Sequence, residues 1–280
     1  MVAIVITGRG GGGAGKTTMS ANLSTYFSLS GYKTLVIDGD LYLPKLAFHF
    51  GIYNPPVTNL HTLLSNPDTR LKDAIYHDVK TGVDVLPGSS KLFDILTMDE
   101  KRLRDIVREA AENYDVTFID SPVGIPFDTI STFRLAQYQL IVVELGRCPV
   151  HSFRKMVENE VDKLKALGEA YGLKVGVILN KIREEKPIVD DIVEYLEESV
   201  GVPVVGIVSF DPPAVPASQN RGIPVVVNVP HSRAARDIRM AGDVLREWIF
   251  NVEIKRGLID SFLDTLRSLF LRLFPSGKKL

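Results

Sequence analysis

Residues 2–17 read VAIVITGRGGGGAGKT, and the fold is decided there. Residues 2–7 form an almost unbroken run of apolar, β-branched side chains, the composition of a strand buried on both faces. Gly10-Gly11-Gly12-Gly13-Ala14-Gly15-Lys16-Thr17 then satisfies G-x-x-x-x-G-K-[ST], and a helical stretch free of Gly and Pro is predicted over 16–30. Strand, glycine loop and helix in that order is the context that makes the motif a phosphate loop. Glycines allow successive backbone N–H groups to turn inward around phosphate oxygens. The helix N-terminus adds its partial positive charge. Lys16 is expected to bridge β- and γ-phosphates, the Thr17 hydroxyl to ligate Mg²⁺, and Thr18 to complete the cradle.

Working outward, further apolar runs fall at 34–38, 83–86, 116–120, 140–144, 174–179 and 204–208, nearly continuous rather than alternating. Amphipathic helical patterns lie between them at 100–112, 152–167, 188–199 and 234–250. This βαβ alternation predicts an α/β fold: a doubly wound, mostly parallel sheet flanked by helices. Gly31, Gly168 and Gly201 stand where left-handed caps past helix ends are expected.

Three carboxylates close predicted strands at the edge where the glycine loop lies. Asp38 ends TLVID, Asp40 follows it by two residues, and Asp120 ends VTFID. Ligands in parallel sheets sit beyond the carboxyl ends of the strands. Four apolar residues ending in Asp is also the pattern that holds Mg²⁺, usually through water. Taken alone, a strand-terminal Asp is as readily a turn cap as a functional group; three around one phosphate loop favour function. Asn180-Lys181 follows another strand, as in the NKxD motif that reads guanine, but Arg183 stands where the guanine-accepting Asp would be. An amide such as Asn180 can both donate to and accept from adenine, so ATP is the expected nucleotide.

The bulk composition is that of an ordinary globular chain of 280 residues, 45% hydrophobic and 24% charged, with a formal net charge of -1. That balance excludes global disorder and lends no support to nucleic-acid binding. Cys148 is the sole cysteine, so no intrachain disulfide or CxxC metal site exists. The five histidines, His49, His61, His77, His151 and His231, lack metal-ligand spacing. The N-terminal run has neither the basic start nor the cleavage site of a signal peptide, and no run is long enough for a membrane span.

With these motifs placed, the chain resembles the MinD/ParA class of P-loop ATPases, and most of all the archaeal and bacterial MinD septum-site proteins. VITGRGGGGAGKTT resembles the family's SGKGGVGKTT, and TLVIDGDLYLPKLAFHFGI resembles its switch I segment. YDVTFIDSPVGI resembles switch II, VILNKI the adenine-binding strand end, and FDPPAVPASQNRGIPVV a late loop. The matches run in order across residues 1 to about 250. The resemblance implies that Asp40 orients the attacking water. It also implies that Asp38 and Asp120 serve Mg²⁺ through its water shell, and that Asn180, Phe210, Asp211 and Pro212 hold adenine. ATP is expected to drive formation of a homodimer that hydrolysis releases, and the cycle to recruit a protein partner to a surface. One departure stands out. The family's signature lysine lies five residues before the loop lysine, where this chain has Gly11; the nearest cation is Arg9. Either two residues are inserted and Arg9 takes the role, or the role is lost and turnover is slow. Arginine is longer and forks, so it is not an equivalent replacement. Lys45 and Ala47 also replace the Asn and Asp that many relatives carry in switch I.

Residues 1–250 thus form the expected ATPase domain, and 251–280 an amphipathic tail. Within 256–274, Ile259, Phe262, Leu263, Leu266, Phe270, Leu273 and Phe274 make one apolar stripe, with Lys255, Arg256, Lys278 and Lys279 flanking it. A helix of this kind suits a membrane interface; packing on the domain or on a second copy is the other reading of the same stripe. The family's C-terminal membrane-targeting helix has the same position. The expected location is the cytoplasm, peripherally on the inner face of the cell membrane. A metallochaperone-type accessory ATPase and a ParA-type DNA-partitioning ATPase are the competing functions.

Overall fold

The structure, a computed structural model, describes residues 2–8, 13–54, 57–89, 100–122, 136–145 and 150–251. Eight strands form one sheet: β1 Val2–Gly8, β2 Thr34–Asp38, β3 Tyr76–Asp78, β4 Val83–Leu86, β5 Val116–Asp120, β6 Tyr138–Glu144, β7 Lys174–Ile182 and β8 Val204–Ser209. Their order is β3-β4-β2-β5-β1-β6-β7-β8. Every neighbouring pair is parallel except β3–β4, which is antiparallel. β1 lies at the centre, and the chain builds outward from it on both sides, as a doubly wound sheet requires.

The apolar runs are explained by burial on both faces. In β1, Ala3 and Val5 point into one layer and Ile4 and Ile6 into the other, all fully buried. On the Ile4 face lie α1 (Lys16–Leu29), α7 (Ala214–Arg221), α8 (Val225–Asn228) and α9 (Arg233–Phe250). The opposite face is covered over β2, β5 and β1 by α2 (Leu60–Ser65), α3 (Leu71–Ala74) and α4 (Glu100–Asn113). Beyond β6 it is covered by two composite helices. In α5, Val150–Met156, Val157–Val161 and Asp162–Ala170 run end to end; in α6, Lys186–Glu194 continues into Tyr195–Val200. The middle part of α5 and the last part of α6 wind in wider π-type turns.

Helix α1 is buried on nearly all sides, between the sheet and α9. Its small polar residues fit there because each is hydrogen-bonded. Asn22 donates to Thr18 O and accepts from Val226 N, and Ser24 and Thr25 donate to Ala21 O.

One sequence expectation needs correction, and one strand carries no apolar run to announce it. Gly31 and Gly201 do lie in left-handed caps, but Gly168 sits inside α5 and the left-handed turn falls at Gly172. Gly168 is required by close approach: a Cβ there would lie 1.9 Å from Gln139 Oε1 in β6. Edge strand β3 (YHD) was not expected, since it carries no apolar run and is mostly exposed. The described residues end at Asn251, so the tail helix over 256–274 lies outside them. Among the described residues, no helix is long and apolar enough to cross a membrane.

Candidate functional site

Register brings the carboxyl ends of the strands to one edge. Asp38 is opposite Asp120 in the β2–β5 pair, Ile6 is opposite Asp120 in β1–β5, and Glu144 is opposite Asn180 in β6–β7. A cavity of about 490 Å³ opens there, within the range of small-molecule sites. The glycine loop and α1 contribute Gly13, Gly15, Lys16, Thr17 and Thr18 to its wall. The segment after β2 adds Asp40, Lys45 and His49, and β5 adds Asp120. The tip of β7 adds Asn180 and Lys181; Phe210, Asp211 and Pro212 follow β8, and Gln219 comes from α7. Arg9, Gly10, Gly11 and Gly12 lie outside the described residues.

Lys16 is buried, and burial lowers its pKa against the opposing pull of Asp120 and Asp40. Asp120 is buried and its pKa is raised to about 6. Burial dominates that shift, opposed by hydrogen bonds from Thr17 and Ser20 and by the Lys16 charge. The Ser20 hydroxyl donates to Asp120 Oδ1 at 2.9 Å. Asp40 accepts from Leu43 N at 3.0 Å. Two carboxylates, Asp40 and Asp120, act on the one ammonium, leaving an excess of negative charge that a divalent cation would relieve. Among the described residues, however, no three His, Cys, Asp or Glu side chains converge as a chelating group. The donor set therefore suits Mg²⁺, which keeps several waters and relies on one or two protein oxygens plus phosphates. Thr17 and Asp120 bring oxygens of that type to the cavity wall.

Asp38 stands apart. It is fully buried below the cavity wall, accepting from Leu46 N at 2.9 Å on one oxygen and from Asp40 N at 3.3 Å on the other. Its pKa is raised well above the usual carboxylate value by burial and by Asp120. Its visible work is to fold the Asp40 segment back over the sheet edge.

The residues expected around the base are brought together, but several already have partners. Asn180 Nδ2 donates to Ala14 O at 2.7 Å. Asp211 accepts from first-turn N–H groups of two helices, Ala214 N at 3.3 Å and Ala234 N at 3.1 Å. The Arg183 guanidinium lies 3.5 Å from the centre of the Phe210 ring, a cation–π stack. His49 and Gln219 were not expected here. Gln219 Nε2 donates to Thr18 Oγ1 at 3.1 Å, and His49 Nε2 lies 3.4 Å from the same hydroxyl. Burial lowers the His49 pKa. Nothing in a scattered histidine or glutamine announces such a position; only the helical turns at Leu46–Phe50 and α7 create it.

The model of the CobQ/CobB/MinD/ParA nucleotide binding domain matches residues 4–225. The chain belongs to that family. An uncharacterized ATP-binding protein of Methanocaldococcus jannaschii is 30% identical over 237 residues, which are 85% of this chain and 84% of that protein. Among solved structures, the septum site-determining protein MinD of Pyrococcus horikoshii OT3, complexed with Mg-ADP, is similar with a TM-score of 0.76. Its identity is 26%, over 90% of this chain and 99% of that one. The MinC:MinD cell division complex of Aquifex aeolicus contains a chain with a TM-score of 0.71 and 27% identity, covering 91% and 99%. As a member of the MinD/ParA family, the chain is a P-loop ATPase by type.

Proposed function

We propose that this chain is a MinD-like, Mg²⁺-dependent ATPase that alternates between an ATP-bound, membrane-associated dimer and an ADP-bound or free monomer. In doing so it positions cell-division or other cellular machinery. The observation that carries the reading is the cavity itself: Lys16, Thr17, Asp40 and Asp120 come from three separate segments and meet at one strand edge. Lys16 would hold the β- and γ-phosphates, and Thr17 and Asp120 would hold Mg²⁺, which supplies charge neutralisation on the phosphates. Asp40 would orient the attacking water. Arg183 supports adenine over guanine: the position that would accept from guanine N–H groups carries a cation, and that cation lies on Phe210. The similarity to a MinD bound to Mg-ADP and to a MinC:MinD complex supports the nucleotide and a protein partner. The apolar stripe and basic flanks of residues 256–274 support the membrane surface.

Liposome co-sedimentation tests the cycle, with the full chain and a chain ending at Glu253, each with ATP and with ADP at fixed salt. The full chain should pellet, and more with ATP, while the shortened chain stays in solution. A full chain that stays in solution with both nucleotides removes the membrane step and makes the tail a packing or partner helix.

A further inference from the structure

The tip of β7 breaks a rule of strand geometry. Successive side chains on a strand point to opposite faces, yet Asn180 and Lys181 both reach the phosphate loop. Asn180 Nδ2 donates to Ala14 O at 2.7 Å, and Lys181 Nζ donates to Gly13 O. The backbone shows why. Lys181 has φ 58, left-handed for a residue with a side chain, and the β7–β8 register shifts between Leu179 and Ile182. The local turn places two consecutive side chains on one side. Lys181 is held there by Glu144, the residue opposite Asn180 on β6, with Nζ 3.0 Å from Glu144 Oε2.

We propose that Asn180 and Lys181, braced by Glu144, are positioning residues that set the phosphate loop for binding, with the Asn180 amide nitrogen held by the loop. The inference rests on the phosphate-loop reading above. In a planar trans peptide, C=O and N–H point opposite ways. Holding the Gly13 carbonyl fixes the direction of the Ala14 N–H, and holding the Ala14 carbonyl fixes that of the Gly15 N–H. Gly13 and Gly15 are both left-handed, at φ 92 and 95, which is the backbone form of an anion-binding concavity. The two β7 side chains thus pull two successive carbonyls outward and leave two successive N–H groups for phosphate. The ion pair with Glu144 offsets the Lys181 charge, so Lys181 acts through the loop and Lys16 remains the cation for the ligand. The left-handed backbone at Lys181 accompanies the turn that brings both Asn180 and Lys181 to the loop.

Separate affinities for inorganic pyrophosphate, ADP and adenosine test this, measured by calorimetry and ligand-observed NMR on the full chain and its Asn180→Ala, Lys181→Met and Lys181→Arg variants. Asn180→Ala and Lys181→Met should each lose at least tenfold affinity for pyrophosphate and ADP and keep adenosine affinity; Lys181→Arg should recover part of the loss. Lys181→Gly, which relieves the left-handed strain but removes the cation paired with Glu144, should still unfold in one cooperative transition yet lose pyrophosphate affinity, separating loop positioning from failure to fold. Loss of adenosine affinity with pyrophosphate binding retained would make Asn180 a base-reading residue and overturn the proposal. Unchanged affinities for all three ligands would overturn it too. A native chain that binds neither pyrophosphate nor ADP would defeat the phosphate-loop reading instead.

Discussion

Replacing Asp120 by Asn should stabilise the nucleotide-free protein while weakening its response to Mg²⁺. Asp120 is 2% exposed, and its pKa is raised from 3.8 to about 6. A folded pKa above the unfolded value means that the group's stabilising contribution is complete below pH 3.8 and is lost as pH rises through 6. At pH 7.5 the buried, ionised carboxylate therefore costs about 3 kcal/mol relative to an unperturbed Asp, at roughly 1.4 kcal/mol per unit. Asparagine removes the charge and keeps an oxygen for the Ser20 hydroxyl. Its extra amide hydrogens need acceptors, which takes back about 1 kcal/mol. The net gain is about 2 kcal/mol at pH 7.5, or roughly 4–8 °C in melting temperature for a domain of this size. Near pH 4 the native Asp120 is itself protonated and the gain disappears. Thermal denaturation without nucleotide or metal, at pH 4 and pH 7.5, measures both limbs. Adding Mg²⁺ and ADP should then stabilise the native chain more than the variant. A variant that melts lower than the native chain at pH 7.5, or whose advantage is the same at both pH values, would refute the reasoning. It would show that the carboxylate serves as an acceptor whose charge is not costly.

Gly15→Ala should be severe. At φ 95 a side chain costs about 1–2 kcal/mol, and the new Cβ would lie 2.3 Å from Asn180 Nδ2, displacing the bond to Ala14 O; calorimetry should show at least a tenfold loss of ADP affinity. Lys16→Ala should abolish nucleotide binding or turnover, whereas Asp40→Ala should keep ATP binding and slow hydrolysis at least tenfold. A steady-state phosphate-release assay with an equilibrium binding measurement distinguishes the two. His49 is shifted in the opposite sense to Asp120: its folded pKa lies below 6.5, so the folded state binds fewer protons and stability rises with pH through the window ending near 6.5. His49→Gln should flatten that limb, measured as the difference in melting temperature between the two proteins at pH 5 and pH 7.5.

Much of the scaffold was legible because its physics is local. The strands around β1 are buried on both faces, so they are written as continuous apolar runs, and the Gly13–Thr17 segment carries the residue types its backbone needs. Legibility ended where tertiary context decides. Gly168 looks like a cap, yet it is a helix-interior residue emptied of side chain by Gln139. Asp38 carries the sequence pattern of a metal carboxylate, but both its oxygens are committed to backbone N–H groups, a pairing set by how the next eight residues turn back. Lys181 in the left-handed region follows from a register shift between β7 and β8, which no spacing in the chain encodes. Arg183 was readable only as a missing acceptor; its stack on Phe210 depends on the β7 and β8 ends lying side by side.

The position of α9 constrains how nucleotide and tail communicate on the proposed reading. Its first five residues grip the end of β8 and the loop after it: Asp211 accepts from Ala234 N, and Asp237 accepts from Ser209 N at 2.9 Å. Its last residue, Phe250, stacks on Tyr32 at 4.7 Å, just before β2 begins and at the end of that strand opposite Asp38. The helix is 18 residues, so about 27 Å separates the nucleotide edge from the point where the tail departs. A tail leaving from Asn251 starts at the end of the strands opposite the phosphates, on the same face of the sheet. Sliding α9 to carry a signal would have to move Gly242 against the Tyr26 ring and break the Tyr26–Asp243 hydrogen bond and the Trp248–Tyr138 edge contact. A rigid, anchored helix is a poor lever. Avidity needs no such motion: two weakly binding tails on one ATP-joined dimer make the second membrane contact intramolecular, at an effective concentration in the millimolar range for short links. Nucleotide control of membrane binding is thus better assigned to assembly than to a conformational path through the monomer.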